Sequence, residues 1–154
     1  MHCVDVNVLV QAAMEASPDH VQARDWLLRQ RQEPDGLGLF SVVLSGFLRI
    51  STDRRVFTEP LDPPAAIAFI DSLSASPVVS VLEPGGHHWS IFRSLVLEHR
   101  PSSAAMTDVY LAAAAMEIQA TWVSFDRGFA RFKELRWLNP GQRVPLMPRN
   151  KPQK

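Results

Sequence analysis

Short apolar runs alternate with longer stretches of helical periodicity along this chain, and this alternation limits its fold more than any other feature. Four apolar runs have the length of buried strands: Cys3–Val10, Leu37–Phe40, Pro77–Leu82 and Thr121–Phe125. Between these runs, apolar residues recur at helical spacing, as in Ala66, Phe69, Ile70 and Leu73. Strands that alternate with helices predict a three-layer α/β/α domain around a central, mostly parallel sheet of four to five strands.

The remaining elements follow from caps, breakers and periodicity. Helices are predicted at Val21–Gln32, Val42–Ile50, Ala65–Leu73, Trp89–His99 and Asp108–Ile118, with a short helical turn at Phe129–Phe132. The charged, proline-rich stretch Thr52–Pro64 is predicted to be a loop, and Leu135–Leu138 is a candidate edge strand. These elements indicate one folded domain over residues 1–140, followed by a basic, proline-containing tail over residues 141–154.

Charge is distributed unevenly along a chain whose formal net charge is zero. From Arg127 to the end there are eight basic residues and one acidic residue, a net charge of +7, so the preceding residues carry −7. Such an asymmetry is typical of proteins that contact nucleic acids, and a solvated basic tail explains it equally well.

The number of cysteines and the lengths of the apolar runs indicate the cellular compartment that we expect for this protein. Cys3 is the single cysteine, which excludes an internal disulfide and a cysteine-rich metal site, and we expect it to be a small buried hydrophobe. No basic segment precedes the first apolar run, so no signal peptide is indicated. No run approaches the roughly 18 apolar residues that span a bilayer. We therefore expect a cytoplasmic protein with no membrane partner.

Three aspartates fall at comparable places in the predicted topology. Asp5 interrupts the first strand, Asp108 begins the buried helix that leads into the fourth strand, and Asp126 closes that strand. In open parallel sheets, ligands bind outside the carboxyl ends of the strands. Three carboxylates that meet there would form an oxygen-rich site for a hard cation, Mg²⁺ or Mn²⁺.

Each aspartate also has a purely structural interpretation. Asp5 can bond its local backbone in a turn with Asn7, and Asp108 can be a first-turn acid that the helix dipole favours. Asp126 can begin the turn that it forms with Arg127 and Gly128. Their shared topological position favours a common site over three separate roles.

Four segments carry a resemblance to a known family. They are Val4–Val10 (VDVNVLV), Ser41–Ile50 (SVVLSGFLRI), Thr107–Ala113 (TDVYLAA) and Thr121–Phe129 (TWVSFDRGF). In their order and spacing they resemble the motifs of PIN-domain ribonucleases, and the second segment, continuing to Phe57, is similar to VapC-type toxins of toxin–antitoxin pairs. The resemblance extends from about Val4 to Pro140.

The resemblance implies a Mg²⁺- or Mn²⁺-dependent endoribonuclease that hydrolyses RNA phosphodiester bonds as the toxin of a type II VapBC system. Asp5, Asp108 and Asp126 are the expected catalytic residues and metal ligands. We expect Asn7 and Ser124 to position these carboxylates. Four basic residues that follow the last acid are candidates to bind RNA phosphates: Arg127, Arg131, Lys133 and Arg136. The resemblance further implies a homodimer and a VapB-like antitoxin that covers the site.

One position departs from the family pattern. The family places a glutamate in the second helix where this chain has Gly46, and glycine costs about 1 kcal/mol relative to alanine inside a helix. The site can work with three aspartates and additional water ligands, which suits Mg²⁺ and is the interpretation we favour. Alternatively, Asp53 or Glu59 reaches in from the loop, or activity is weakened or lost.

Two rival functions fit the same residues. A degenerate PIN-fold protein would bind RNA or a partner without cutting, and Gly46 is its main support. A phosphatase or another Mg²⁺-dependent hydrolase would use the same acids, but it lacks a nucleophile set in a recognisable phosphate loop.

Two further features suggest sites only weakly. The stretch from Gly85 to His88 (GGHH) suggests a metal or phosphate site, but a loop followed by a helix start is the better interpretation because adjacent helical histidines do not share a face. Trp26, Trp89 and Trp122 are predicted to be core residues. Trp137, in the basic segment, is the candidate for stacking on bases.

Overall fold

A computed structural model describes residues 1–142 and shows the predicted α/β fold. The strands are β1 (His2–Val4), β2 (Leu37–Phe40), β3 (Val79–Leu82), β4 (Thr121–Val123) and β5 (Arg136–Leu138). The helices are α1 (Val6–Ala13), α2 (His20–Gln30), α3 (Ser41–Ser51), α4 (Pro63–Ser74), α5 (His88–His99) and α6 (Met106–Glu117), with 3₁₀ turns at Ser103–Ala105 and Arg127–Arg131. The predicted basic tail lies outside the described residues from residue 143 onward.

The five strands pair in parallel in the order β3-β2-β1-β4-β5. The chain therefore moves outward from β1 to β3 and then crosses back to β4 on the other side of β1. Because such crossovers are right-handed, this reversal places helices on both faces of the sheet. In agreement, α1 packs against α2 and α3, whereas α5 packs against α6. The reversal also opens a crevice at the carboxyl ends of β1 and β4.

The central strands and α6 contain the most completely buried residues of the core. All four residues of β2 are buried, and four consecutive alanines of α6, Ala112–Ala115, have no exposed surface. Their small side chains let α6 lie close to the sheet. Cys3 is fully buried in β1, as expected, and this burial raises the pKa of its thiol to about 12.

The predicted first strand is wrong in extent. We predicted a strand over Cys3–Val10, but β1 ends at Val4 and helix α1 begins at Val6. The Asp5 side chain accepts a hydrogen bond from the Val6 backbone N–H (2.7 Å), which caps the helix. Periodicity does not separate a buried strand from a buried helix when the apolar run is short. Asp5 therefore follows the first strand and does not interrupt it.

The other predicted elements agree with the structure to within two residues at each end, and residues 52–62 form the expected connection between α3 and α4. Among the tryptophans predicted to be core residues, Trp26 and Trp122 are buried but Trp89 is 67% exposed. The neighbouring His88 is buried, so Trp89 is exposed because it lies on the outer face of α5, which the apolar spacing alone did not reveal. None of the helices within residues 1–142 has the length and apolar character that crossing a membrane requires.

The glycine- and histidine-containing stretch is a helix start that binds one of the chain's own carboxylates. Glu117, at the end of α6, accepts hydrogen bonds from the backbone N–H groups of Gly85 (2.7 Å) and His87 (2.8 Å), just before α5. A Cβ atom on Gly85 would lie 2.7 Å from the Glu117 Oε1 atom, so the close approach requires glycine. The structure thus confirms the structural interpretation of this stretch, because a carboxylate already occupies the donors that a phosphate would use.

This contact predicts a stabilising role for Glu117. Desolvation, the largest single effect, raises the pKa of Glu117, but the backbone donors of Gly85, His87 and His88 together outweigh it and hold the pKa below its usual value. Because the folded-state pKa is lowered, the contribution to stability is present at neutral pH and is lost as pH falls through carboxylate protonation. We expect Glu117→Ala to lower the free energy of unfolding at pH 7 by about 1 kcal/mol in urea denaturation.

Glu98→Ala is the matched control, since the Glu98 side chain is 71% exposed and lies 3.9 Å from His99. We expect it to change stability by less than about 0.5 kcal/mol. Equal effects of the two substitutions, or a Glu117→Ala effect that persists unchanged at acidic pH, would contradict the capping role.

Candidate active site

The Asp5 carboxylate lies at the carboxyl end of β1 and is 8% exposed. Its Oδ1 atom accepts the capping hydrogen bond from Val6. Its Oδ2 atom accepts hydrogen bonds from Ser124 Oγ (2.6 Å) and Asn7 Nδ2 (2.9 Å). The first turn of α1 and the residue that follows β4 therefore hold the Asp5 side chain in one orientation, since three donors converge on its two oxygens.

Ser124 follows β4 directly and connects the two neighbouring strand ends. Its fully buried hydroxyl donates to Asp5 and accepts from Asn7 Nδ2 (2.8 Å) and the Asp126 backbone N–H (3.0 Å). The Asn7 side-chain oxygen also accepts from the backbone N–H of Phe125 (3.2 Å). The structure thus brings both predicted positioning residues, Asn7 and Ser124, into direct contact with Asp5. We call this hydrogen-bonded set of Asp5, Asn7 and Ser124 the strand-end network.

Trp137 supports this network from β5. Its indole N–H donates to the Ser124 carbonyl oxygen (3.2 Å), and the side chain is partly buried. Sequence reasoning proposed Trp137 as a base-stacking residue and did not anticipate this contact, because nothing in the local pattern relates β5 to the end of β4. The hydrogen bond gives Trp137 a structural role beside the site.

Asp108 and Asp126 complete the predicted acidic set. Asp108 lies in the first turn of α6, with its side chain 30% exposed. Asp126 precedes the 3₁₀ turn Arg127–Arg131, and its Oδ1 atom accepts from the Gly128 backbone N–H (2.6 Å). The local interpretations of these aspartates as cap and turn residues are therefore correct, and they coexist with a shared position at one edge of the sheet.

The charges of Asp108 and Asp126 act on the buried carboxylate of Asp5. The pKa of Asp5 is raised to about 6, chiefly because burial disfavours its charged form. The hydrogen bonds from Ser124 and Val6 oppose this rise, whereas the negative charges of Asp108 and Asp126 add to it. The edge of the sheet thus concentrates negative charge beside a carboxylate that is already poorly solvated.

The chemistry of this donor set fits a hard divalent cation. All three groups are carboxylates, the ligands that Mg²⁺ and Mn²⁺ prefer, and like charges held together favour binding of a cation between them. Within residues 1–142, no three acidic, histidine or cysteine side chains already stand at coordinating distances from a common point.

The predicted phosphate-binding residues do not all lie at the acidic edge. Arg127 is exposed and directly follows Asp126, whereas Lys133 borders a small cavity with Met116, in the last turn of α6. Arg136 pairs with Thr121 at the amino end of β4, so it lies at the opposite edge of the sheet from the acids. Arg131 is different, because its Nη2 atom lies 3.1 Å from Asp108 Oδ2 and forms an ion pair with it. Sequence reasoning missed this pair, since the two residues are 23 positions apart and lie in separate elements.

Gly46 has a packing explanation that the sequence did not reveal. Helix α3 crosses α1 at this position, and a Cβ atom on Gly46 would lie 2.9 Å from Val6 Cγ2. Glycine is therefore required for this crossing, directly beside the capping bond between Asp5 and Val6. The absence of a glutamate here follows from helix packing and does not by itself indicate a lost function.

The two acids considered as substitutes for a glutamate at position 46 do not reach the site. Asp53 forms a salt bridge with Arg55 (2.9 Å) and accepts from the Arg55 backbone N–H (2.8 Å). Glu59 borders a groove with Ala13 and Met14, at the opposite end of α1 from Asp5, about 12 Å away at the helical rise. The hypothesis that either acid enters the site is wrong for this structure.

Comparison with known proteins agrees with this arrangement of motifs. The family model for the PIN domain matches residues 2–135, which cover all three aspartates and most of the chain. The chain belongs to the PIN domain family. The predicted family resemblance is thereby confirmed, and the motif order along the chain was sufficient to identify it.

Curated relatives resemble this PIN domain over nearly its full length. It is 46% identical over 140 residues to Ribonuclease VapC43 of Mycobacterium tuberculosis strain H37Rv, covering 91% of this chain and 95% of that protein. It is 35% identical to Ribonuclease VapC25 of the same strain, covering 91% of this chain and 99% of that protein. Both relatives are named as ribonucleases.

Solved structures share the fold at low sequence identity. VapC20 of Mycobacterium tuberculosis, described as a sarcin–ricin loop cleaving toxin, matches with a TM-score of 0.64 and 14% identity, covering 88% of this chain and 98% of that one. VapBC2 from Rickettsia felis, bound to a promoter DNA fragment, matches with the same TM-score and identity, covering 90% and 97%. The PIN fold is thus retained where little sequence similarity remains.

The raised pKa of Asp5 predicts a pH-dependent loss of stability in the metal-free PIN domain. Because the folded-state value of about 6 exceeds the ordinary value of 3.8, the folded state retains a proton that the unfolded state releases. Stability should therefore fall as pH rises from about 4 to about 6, by up to about 3 kcal/mol from this group. Asp5→Asn removes the titration, so the difference in free energy of unfolding between the two proteins isolates it.

Urea denaturation in EDTA at several pH values makes this comparison. Relative to the wild type, the variant should gain stability on going from pH 4 to pH 7. A difference that stays constant over this range would show that Asp5 has an ordinary pKa in the folded protein.

The close approach of Gly46 to Val6 predicts that the sign of the stability change caused by Gly46→Ala depends on the side chain at position 6. In the wild type, Gly46→Ala should destabilise the protein by about 1 kcal/mol, because overpacking costs more than the gain in helix propensity. In a Val6→Ala background the clash is absent, so Gly46→Ala should be neutral or stabilising by up to about 1 kcal/mol. A double-mutant cycle by chemical denaturation measures the coupling, and equal effects in both backgrounds would exclude this contact.

Proposed function

We propose that this PIN domain is a divalent-metal-dependent endoribonuclease and acts as the toxin of a VapBC-type toxin–antitoxin pair. One observation carries the proposal: at the carboxyl ends of β1 and β4, Asp108 and Asp126 lie close enough to the Asp5 carboxylate for their charges to help raise its pKa. The relatives named as VapC ribonucleases support the choice of RNA as substrate.

The three aspartates would hold Mg²⁺ or Mn²⁺ at this edge. Mg²⁺ commonly retains several water ligands, so three protein carboxylates are an adequate set without an acid at position 46. When bound, the ion would polarise the scissile phosphate and lower the pKa of an attacking water. The packing role of Gly46 removes the main support for a degenerate protein that binds without cutting.

The chain's own residues would orient the site and bind the substrate. Asn7 and Ser124 hold the Asp5 carboxylate through hydrogen bonds of 2.9 Å and 2.6 Å, so that its geometry is set before a cation arrives. The exposed Arg127 side chain directly follows Asp126 and would neutralise a phosphate of the substrate, and the exposed Lys133 would bind another phosphate of the RNA backbone. RNA binding should therefore weaken steeply with increasing salt.

The solved structures that share this fold also suggest which partners this chain would have. A structure of VapBC2 from Rickettsia felis and one of VapBC-1 from Haemophilus influenzae match this fold over 90% and 92% of the chain. By analogy, a VapB-like antitoxin would cover the acidic edge and inhibit cleavage, and two copies of the chain would associate. The reaction would take place in the cytoplasm.

Cleavage of structured RNAs by the purified chain tests the proposal. We expect cleavage in Mg²⁺ or Mn²⁺, loss of cleavage in EDTA, and a decrease of about 100-fold or more in Asp108→Asn, because the carboxylate helps to hold the ion that stabilises the transition state. Asp71→Asn is the matched control: Asp71 is exposed on α4, and its replacement should leave the rate unchanged.

The possible outcomes separate the rival functions. Cleavage that survives both EDTA and Asp108→Asn would exclude the metal-dependent mechanism. A folded protein that binds RNA but cuts none of the RNAs in either metal would favour a binding function. Loss of activity in both aspartate variants would indicate a general effect of charge or folding and not a specific role of Asp108.

A further inference from the structure

We propose that Arg131 is an internal counter-cation of the acidic site, which a divalent ion displaces from Asp108 and which then binds the RNA phosphate. This inference rests on the proposed metal-dependent function and adds a coupling between metal loading and substrate binding. Arg131 would pair with Asp108 before the metal binds and with an RNA phosphate afterwards.

The Arg131 guanidinium lies beside Asp108 and over the aromatic ring of Phe132, which we call the Phe132 platform. Its Nη2 atom lies 3.1 Å from Asp108 Oδ2, and its Cζ atom lies 4.5 Å from the centroid of the Phe132 ring. Phe132 is only 2% exposed, so the platform is anchored in the core. Stacking on an aromatic ring restricts the planar guanidinium to a small range of positions near the acids.

Gly128 leaves room for this arrangement. A Cβ atom at this position would lie 3.2 Å from Arg131 Nη1 and 2.9 Å from Asp126 Oδ1. The guanidinium therefore passes over a residue without a side chain, next to a second carboxylate of the site. Arg131 thus contacts one acid directly and lies close to another, at the place where a divalent cation would also be attracted.

Charge and ligand geometry make the two cations competitors. Asp108 Oδ2 either accepts a hydrogen bond from the guanidinium or coordinates a metal ion. A divalent ion is attracted more strongly to three carboxylates than a single guanidinium is. The ion pair is partly exposed, with 35% of the Arg131 side chain and 30% of the Asp108 side chain accessible. Such pairs are weak, so displacement requires little free energy.

The displaced guanidinium has an appropriate second partner. It stays charged at all relevant pH values, and its forked N–H donors match the oxygens of a phosphate as well as those of a carboxylate. On the Phe132 platform it remains beside the acidic edge. A phosphodiester that binds the ion would therefore contact Arg131 once the metal is in place.

Mn²⁺ affinity is the direct test, since free Mn²⁺ has an electron paramagnetic resonance signal that decreases on binding. We expect Arg131→Gln to bind Mn²⁺ about 3-fold to 10-fold more tightly than the wild type, because the competing cation is gone. Arg127→Gln is the matched control, since it removes an equal charge next to Asp126 without breaking an ion pair to Asp108. It should change Mn²⁺ affinity by less than about 2-fold.

A second measurement separates this role from a purely structural one. At saturating Mn²⁺, Arg131→Gln should cleave RNA more slowly than the wild type and show a weaker dependence of RNA binding on salt, although it binds the metal more tightly. Arg131→Lys, which keeps the charge, should recover part of the salt dependence. Opposite changes in metal affinity and cleavage are not expected from a general loss of stability.

The results also distinguish this inference from the proposed function. If the wild type binds Mn²⁺ and cleaves RNA but Arg131→Gln binds the metal no more tightly, or if Arg127→Gln tightens binding equally, only the counter-cation role is overturned. If neither the wild type nor Arg131→Gln binds Mn²⁺, the metal-dependent function fails and this inference fails with it.

Discussion

The buried carboxylate of Asp5 is the constraint on which the candidate site depends. A charged group in this position is costly unless donors compensate for the lost water, and the strand-end network supplies Asn7 and Ser124 as donors. Because Ser124 also accepts from the Asp126 backbone, the same network joins the ends of β1 and β4. These hydrogen bonds fix the oxygen atoms at the ends of β1 and β4 relative to one another, at the place where the strand order reverses.

Two anionic groups of the protein illustrate how local donors decide what a carboxylate does. Glu117 lies against the backbone N–H groups before α5, which lower its pKa and give it a capping role. Asp5 also has a backbone donor, but burial and two neighbouring aspartates raise its pKa to about 6. The charge of Glu117 is compensated by its backbone donors. The site around Asp5, in contrast, retains an excess of negative charge that a cation would offset. Arg131 supplies part of that relief through Asp108.

Three glycines make room for these contacts. Gly46 permits α3 to cross α1 beside Val6, Gly85 admits the Glu117 carboxylate, and Gly128 lies beneath the Arg131 guanidinium. In the sequence, Gly46 stands where the family has a glutamate, and Gly85 belongs to a stretch predicted to be a loop followed by a helix start. Both positions are explained by the close approach of a neighbouring group, which no single-sequence pattern reports because the neighbour lies 32 or more residues away.

The sequence by itself determined the α/β class, the order of the elements, the family and the identity of the acidic residues, because periodicity and motif order are local properties of the chain. It did not determine where the first strand ends, since a short apolar run fits either a strand or a buried helix. Only the tertiary structure decided that Asp5 caps α1, that Trp89 is exposed, that Trp137 supports Ser124 and that Arg131 pairs with Asp108. Each of these depends on which distant residues the fold brings together, and that proximity is set by the packing of the whole domain.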